Sequence, residues 1–277
     1  MANEGIKLTI PGADYEEIIV DDYLIASGIT NPTIKTHYLN FKNLLISNGI
    51  WSKITHAYAV LGTTADQIKY NIKTASDPLT NAGGGTILNT INKGIILAGV
   101  LNAQGATVDL PINETYIANL ASGNGHVLYF TNENLNPTNT VTPGLGVPIS
   151  SNLFATSTAP LFYLTGAFGA SPQKKALYLR NTNSQLAAPY LSKGVFGVIK
   201  NGATSEFFGN GVSLGTATHT GTANTFTGNI RLGDGKYPVA NTISFVSFGN
   251  VAMSSSEMVF YQNAIIQLIF NVHGIII

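Results

Sequence analysis

The sequence contains no cysteine. That excludes a disulfide scaffold, a thiolate zinc site, an iron–sulfur cluster and a cysteine nucleophile. Charge is also scarce. Asp, Glu, Lys and Arg make up 10% of 277 residues, against about 25% in ordinary globular chains. Fourteen basic residues balance fourteen acidic ones, so the formal net charge is zero. A nucleic-acid binder needs a basic field over the phosphates, and this chain has none to offer. Disorder is excluded on the same footing, because the hydrophobic share is 44%. Long apolar runs are missing too. The nearest approach, 265–277, is broken by Gln267, Asn271 and His273, so no membrane span is expected. Residues 1–10 are neither basic nor apolar enough for a signal peptide.

What is plentiful is neutral and polar. Ser, Thr and Asn supply 75 residues and glycine 29. The surface is therefore built from hydroxyls and amides. Six of the fourteen acids, Glu4, Asp14, Glu16, Glu17, Asp21 and Asp22, crowd into the first 25 residues. That segment is read as an extended N-terminal arm with a turn at Pro11-Gly12. Residues 26–277 are read as one domain.

Helix signals flank a β-rich middle. Thr30 or Asn31 can cap a helix with Pro32 at its first position, and Ile34, Tyr38, Phe41 and Leu45 form one apolar stripe. Asn48-Gly49 ends it. Ile50 to Ile54 adds a turn, 56–61 reads as a strand, and Thr64 to Gln67 resembles a capping box. Strand-like runs follow at 95–101, 126–131, 161–165, 176–180, 195–200, 207–208, 212–214, 229–232 and 243–248. Asn201-Gly202 marks a tight hairpin and Gly233-Asp234-Gly235 another turn. The proline-bearing stretch 132–159 reads as a long loop. Ser254 and Glu257 make a capping box for a final helix, with Met258, Tyr261, Ile265, Leu268 and Ile269 on one side and Gly274 as its stop. The tail Ile275-Ile276-Ile277 is expected to pack inside the fold or on another subunit. Many short strands between turns predict a mainly β, antiparallel β-sandwich with a helix at each end.

Chemistry is sparse. Gly211-Val212-Ser213-Leu214-Gly215 matches the nucleophile-elbow pattern, but no helical period follows it, and His219 lies in a polar run. Ser213 is expected in a short strand. Gly83-Gly84-Gly85 lacks the residues that make a phosphate cradle and reads as a bend. The histidines, His37, His56, His126, His219 and His273, are far apart and carry no metal-ligand spacing. Calcium in loops stays open, although the middle offers few acids: Asp109, Glu114, Glu133, Glu206 and Asp234. No pair of carboxyls alternates along one strand as a sandwich glycosidase would need. Aromatic residues reach 9%; beside Asn and Thr, an exposed Tyr can meet a sugar, while most are expected in the core. No catalytic, cofactor-binding or metal residue is assigned, and no enzyme activity is expected.

Two blocks carry a family resemblance. Gly28-Ile29-Thr30-Asn31-Pro32-Thr33 leads to Gly49-Ile50-Trp51-Ser52-Lys53-Ile54, then to Ala57–Leu61, Gly62-Thr63-Thr64-Ala65 and Lys69-Tyr70-Asn71-Ile72-Lys73. The second block is 243–250 followed by 254–274. Together, over roughly 24–75 and 195–274, they resemble virion-associated proteins of tailed bacteriophages and prophages, often those of gut Bacteroidetes. The chain departs from the pattern at Ala59-Val60-Leu61-Gly62-Thr63, where many relatives have Pro-Phe-Val-Gly-Gly. The resemblance implies a jelly-roll body of laminin-G or concanavalin type and a structural role in a virion: head or tail decoration, fibre or adhesion. It implies other virion proteins as partners, a homo-oligomer with a trimer leading, and a host-surface glycan as a further ligand. No cofactor and no catalytic residue come with it. The alternatives are a carbohydrate-binding module outside a virion and a glycan hydrolase.

Overall fold

The computed structural model describes residues 21–82, 95–97, 107–110, 123–131, 149–151, 162–168, 174–179, 182–187, 193–218, 230–232 and 241–277. The arm 1–20, Gly83-Gly84-Gly85, His219 and Gly233-Asp234-Gly235 lie outside them.

Helix α1 (Asp22–Ser27) opens the described chain. Asp21 caps it by accepting from Leu24 N, and Gly28 ends it at φ 63°. Tyr23 and Leu24 are buried in the main core. Residues 22–25, expected in an extended arm, thus belong to a helix: Tyr23, Leu24 and Ser27 are buried while Asp22 and Ile25 face solvent, and so short a helix is anchored by its contacts rather than by its propensity. Helix α2 (Pro32–Ser47) starts where expected, with the Asn31 side chain accepting from Thr33 N and Ile34 N. Tyr38, Phe41 and Leu45 are buried and Ile34 packs at their margin. Gly49 then turns the chain at φ 69° into a 3₁₀ turn, Trp51–Lys53. Strand β1 (His56–Ala59) and the short helix α3 (Ala65–Ile68) follow. The Gln67 side chain accepts from Thr63 N, one residue before the position a full capping box would use.

The remaining strands are β2 (Thr80–Ala82), β3 (Ile95–Leu97), β4 (Thr107–Leu110), β5 (Asn124–Thr131), β6 (Ile149–Ser151), β7 (Phe162–Phe168), β8 (Lys174–Leu179), β9 (Thr182–Ala187), β10 (Gly194–Asn201), β11 (Thr204–Gly209), β12 (Val212–Thr218), β13 (Ile230–Leu232) and β14 (Asn241–Gly249). The C-terminal helix α4 spans Ser255–His273. Within 132–159, expected as a loop, β6 pairs with both β13 and β7. The sequence Ile-Ser-Ser carries no apolar run, and its strand exists because neighbours complete its backbone hydrogen bonds. The β10–β11 hairpin places Gly202-Ala203 in its turn, with Asn201 paired to Thr204, one residue on from the expected Asn201-Gly202. Gly202 supplies the positive φ of 56°.

Two sheets result, each of seven strands. One runs β1-β14-β5-β10-β11-β12, with β3 also on β14; the other runs β2-β4-β13-β6-β7-β8-β9. Every strand pair is antiparallel. The sheets approach where β9 runs beside β11 and β12.

The central strands of the first sheet, β5, β10 and β14, are buried on both faces, while the edge strand β12 is largely exposed. Period-two alternation sends Leu128, Phe130, Val195, Ile199, Phe208 and Phe245 into the core shared with α2 and α4. Val127, Tyr129, Phe196, Val198, Phe207 and Val246 point the other way and are buried as well. This explains why the sequence shows continuous apolar runs here and not clean alternation. Each fully buried large side chain contributes about 1.5–3 kcal/mol. Helix α4 comes close to β10 because Gly197 is bare: a Cβ there would lie 2.9 Å from Gln262 Nε2 and 3.0 Å from Leu128 Cβ. Its start is the reciprocal Ser254–Glu257 capping box, and Gly274 ends it at φ 66°.

The two ends of the chain are knitted together. Strand β1 pairs with β14, Thr55 N donates to Phe248 O at 2.9 Å, Val60 N donates to Ser244 O at 2.9 Å, and Lys53 pairs with Glu257 at 2.7 Å. The rings of Phe41 and Phe245 meet edge-on at 6.0 Å. Of the tail, Ile275 packs at the margin of this core while Ile276 and Ile277 stay outside it. Ile276 is 72% exposed, and Lys193 Nζ holds its carbonyl at 2.6 Å.

Candidate functional site

The sequence candidates fall into structural roles. Ser213 is the second residue of β12, after Gly211 at φ 77°, and the residues that follow it, to Thr218, continue as strand where an elbow would turn into a helix. Its hydroxyl donates to Glu206 Oε1 at 2.6 Å, while Ser255 donates to Glu206 Oε2 at 2.6 Å. A nucleophile elbow needs strand, sharp turn and helix, and this geometry is a strand in a hairpin. Glu206 thus ties the edge hairpin to the start of α4.

The histidines are scattered. His126 is fully buried on β5, with Nδ1 3.0 Å from Val251 O and its ring edge-on to Tyr261 at 6.4 Å. Burial pushes it down to about 4, opposed by its hydrogen bond to Val251. His56 is lowered by burial too, with Asp77 at 4.0 Å acting in the other direction. His273 reaches Val60 O from the last turn of α4. Among the described residues no three His, Asp or Glu side chains converge as a metal site would require.

Most described tyrosines are internal. Tyr23, Tyr38, Tyr58 and Tyr261 are buried, and burial raises each phenol well above its ordinary value. Tyr261 OH donates to Ser247 Oγ at 2.8 Å. They are packing residues with satisfied or enclosed hydroxyls, so they offer no ring to a ligand.

Among the described residues Trp51, Tyr70, Phe260 and Phe270 keep part of their rings exposed, and Trp51 differs from the others in the two cations it gathers. The turn after Gly49 places it at the surface, part-exposed beside α2. Two ammonium groups lie over its ring: Lys42 Nζ at 5.7 Å and Lys73 Nζ at 4.7 Å from the centroid. Lys42 follows Phe41 on α2 and pairs with Asp21 at 2.6 Å. Lys73 is set by Asn71, whose Oδ1 accepts from Ala57 N at 3.1 Å and Lys73 N at 3.0 Å. Lys73 Nζ donates to the Trp51 carbonyl at 2.6 Å. Burial, and then the nearby Lys42 charge, hold the Lys73 ammonium below its usual value. Sequence reading placed Trp51 and Lys73 in the N-terminal block without joining them to Lys42. The available signal was a lone Trp between well-spaced lysines, but only the fold brings three separate elements together.

No protein-family model and no curated protein matches this chain by sequence. Solved structures do. The chain is similar to botulinum neurotoxin type C, whose cell entry is dependent upon interaction with two ganglioside molecules, at 10% identity and TM-score 0.52, covering 79% of this chain and 52% of that one. It is similar to domain 4 of AbnA, a GH43 extracellular arabinanase from Geobacillus stearothermophilus solved with arabinotriose, at 13% identity, TM-score 0.47, 76% of this chain and 98% of that one. It is also similar to the CBM40 of Ruminococcus gnavus IT-sialidase bound to α2,3 sialyllactose, at 16% identity, TM-score 0.42, 64% of this chain and 100% of that one. Identities this low establish architecture alone. The chain has a mainly β, antiparallel β-sandwich fold of the jelly-roll kind with helices at both ends.

Proposed function

We propose that this chain is a glycan-binding protein that acts without catalysis, and that it does so as a structural component of a tailed-phage virion. The observation that carries the first half is the pairing of this sandwich with a surface chemistry of amides and hydroxyls. Seventy-five Ser, Thr and Asn residues accompany a formal charge of zero, and neutral hydrogen-bonding groups suit sugar hydroxyls. The sandwich is shared with a toxin domain whose cell entry depends on gangliosides, which favours the same class of ligand. Absence of turnover is proposed on the described carboxylates Asp21, Asp66, Asp77, Glu206 and Glu257, each engaged by a lysine or a hydroxyl, with Asp22 standing alone on the outer side of α1.

The virion half rests on the resemblance of blocks 24–75 and 195–274. Residues of these blocks on α1, α2, β1, β10, β11, β14 and α4 share one core cluster. A module used outside a virion is the second reading, and the similarity to a ganglioside-dependent toxin favours it equally.

Two experiments test the proposal. The full chain is applied to a panel of neutral and acidic oligosaccharides; binding to at least one class supports the first half, and a blank panel overturns it. Antibody detection of the chain in gradient-purified phage particles tests the second. Binding without co-purification leaves the free module as the surviving reading.

A further inference from the structure

The cluster at Trp51 carries more positive charge than its surroundings cancel. Lys42 and Lys73 converge on one indole. The carboxylate that touches this pair is Asp21, which is only 3% exposed and already engaged three times, by Lys42 Nζ, by the Tyr38 hydroxyl and by Leu24 N at the start of α1. Among the described residues no carboxylate lies within 4.0 Å of Lys73. Lys53, next in the same turn, is taken by Glu257. The Lys73 ammonium keeps one hydrogen bond, to the Trp51 carbonyl. An ammonium has three N–H donors, so Lys73 retains capacity for an incoming acceptor.

We propose that Lys42, Trp51 and Lys73 form an anchor for an acidic sugar, its carboxylate held by the two ammonium groups and its apolar edge set against the indole. The inference rests on the glycan-binding reading above. The chemistry selects the ligand class. Two cations beside one indole suit one carboxylate, whereas nucleic acid needs an extended basic field that a chain of zero net charge does not provide. The flat indole supplies an apolar wall that a free inorganic anion would not use. Charge-assisted hydrogen bonds from lysine to carboxylate are the stronger kind, about twice a neutral one. Each cation is already near its place. Lys42 is fixed by Asp21 and Lys73 by the Trp51 carbonyl, so little ordering is left for binding to impose.

Trp51 is the sole tryptophan in the chain, so its fluorescence reads this site alone. The full-length protein is titrated with 3′-sialyllactose, with lactose and with inorganic phosphate. The expected result is a saturable change with sialyllactose, none with lactose, and no matching change with phosphate at equal concentration. Lys73→Gln should weaken sialyllactose at least about tenfold, roughly the loss of one charge-assisted contact, and Lys73→Arg should restore most of it. A Trp51 signal that stays flat while the glycan panel shows binding overturns this site and leaves the wider reading standing. A blank panel overturns both. An equal response to phosphate overturns the sugar assignment. Because the wild-type titration alone can sink the proposal, a variant that folds poorly does not protect it.

Discussion

Asp21 accepts from Lys42 Nζ at 2.6 Å through Oδ2 while its other oxygen caps α1 at Leu24 N, 3.1 Å away. One buried carboxylate therefore fixes both the first helix and one of the two cations on Trp51. Replacing it with alanine removes the cap and strands Lys42. The expected cost is about 2–4 kcal/mol, combining a lost N-cap with a broken, partly buried ion pair. Asp21→Asn keeps a capping oxygen and should cost less. Urea unfolding of both variants checks this; equal losses would show that the charge contributes nothing.

His126 predicts a pH dependence. Its folded value is about 4, lowered by burial, against an ordinary 6.5. The folded state therefore holds it neutral where the unfolded chain takes up a proton. Stability is fully present above the unfolded value and falls as pH drops from 6.5 toward 4, by up to about 3 kcal/mol. His56 is lowered as well and adds to the same trend. Unfolding free energies between pH 7 and pH 5, above the carboxylate range, should decline for the wild type. In His126→Gln the slope should flatten, and an unchanged slope would refute the assignment.

Tyr261 and Ser247 form a hydroxyl pair inside the core, 2.8 Å apart. Tyr261→Phe should cost about 1–2 kcal/mol because the Ser247 hydroxyl is left enclosed without that partner. A double-mutant cycle with Ser247→Ala should show positive coupling; additive losses would mean the bond is immaterial.

Ser213→Ala should change stability by less than about 0.5 kcal/mol and leave glycan binding intact, since Ser255 still engages Glu206. His219→Ala should be equally silent. Loss of a glycan-cleaving or esterase activity in either variant would reveal a catalytic role and contradict the proposed function.

The helices and the first sheet were legible in the sequence because their signals are local. Asn31-Pro32 and Ser254 with Glu257 mark helix starts through side chains that satisfy nearby N–H groups. The runs at β5, β10 and β14 are visible because both their faces are buried. The second sheet was harder. Thr-Asn-Ala, Thr-Val-Asp-Leu, Ile-Ser-Ser and Thr-Asn-Ser-Gln-Leu-Ala became β2, β4, β6 and β9 through ladders with partners far along the chain or across a turn. Helix α1 had its cap and its glycine stop in plain view at Asp21 and Gly28, but the run of acids before it disguised them as leader. The Trp51 cluster had no local signature, since its three residues come from α2, the 3₁₀ turn and the segment after α3.

The central claim, binding of glycan without turnover, is tested most directly in a single sample. The full chain is titrated by calorimetry with the strongest oligosaccharide from the panel, held overnight, and the sugar is then analysed by mass spectrometry. The account predicts saturable heat and intact oligosaccharide. Shortened sugar, or no heat with any glycan of the panel, would contradict it.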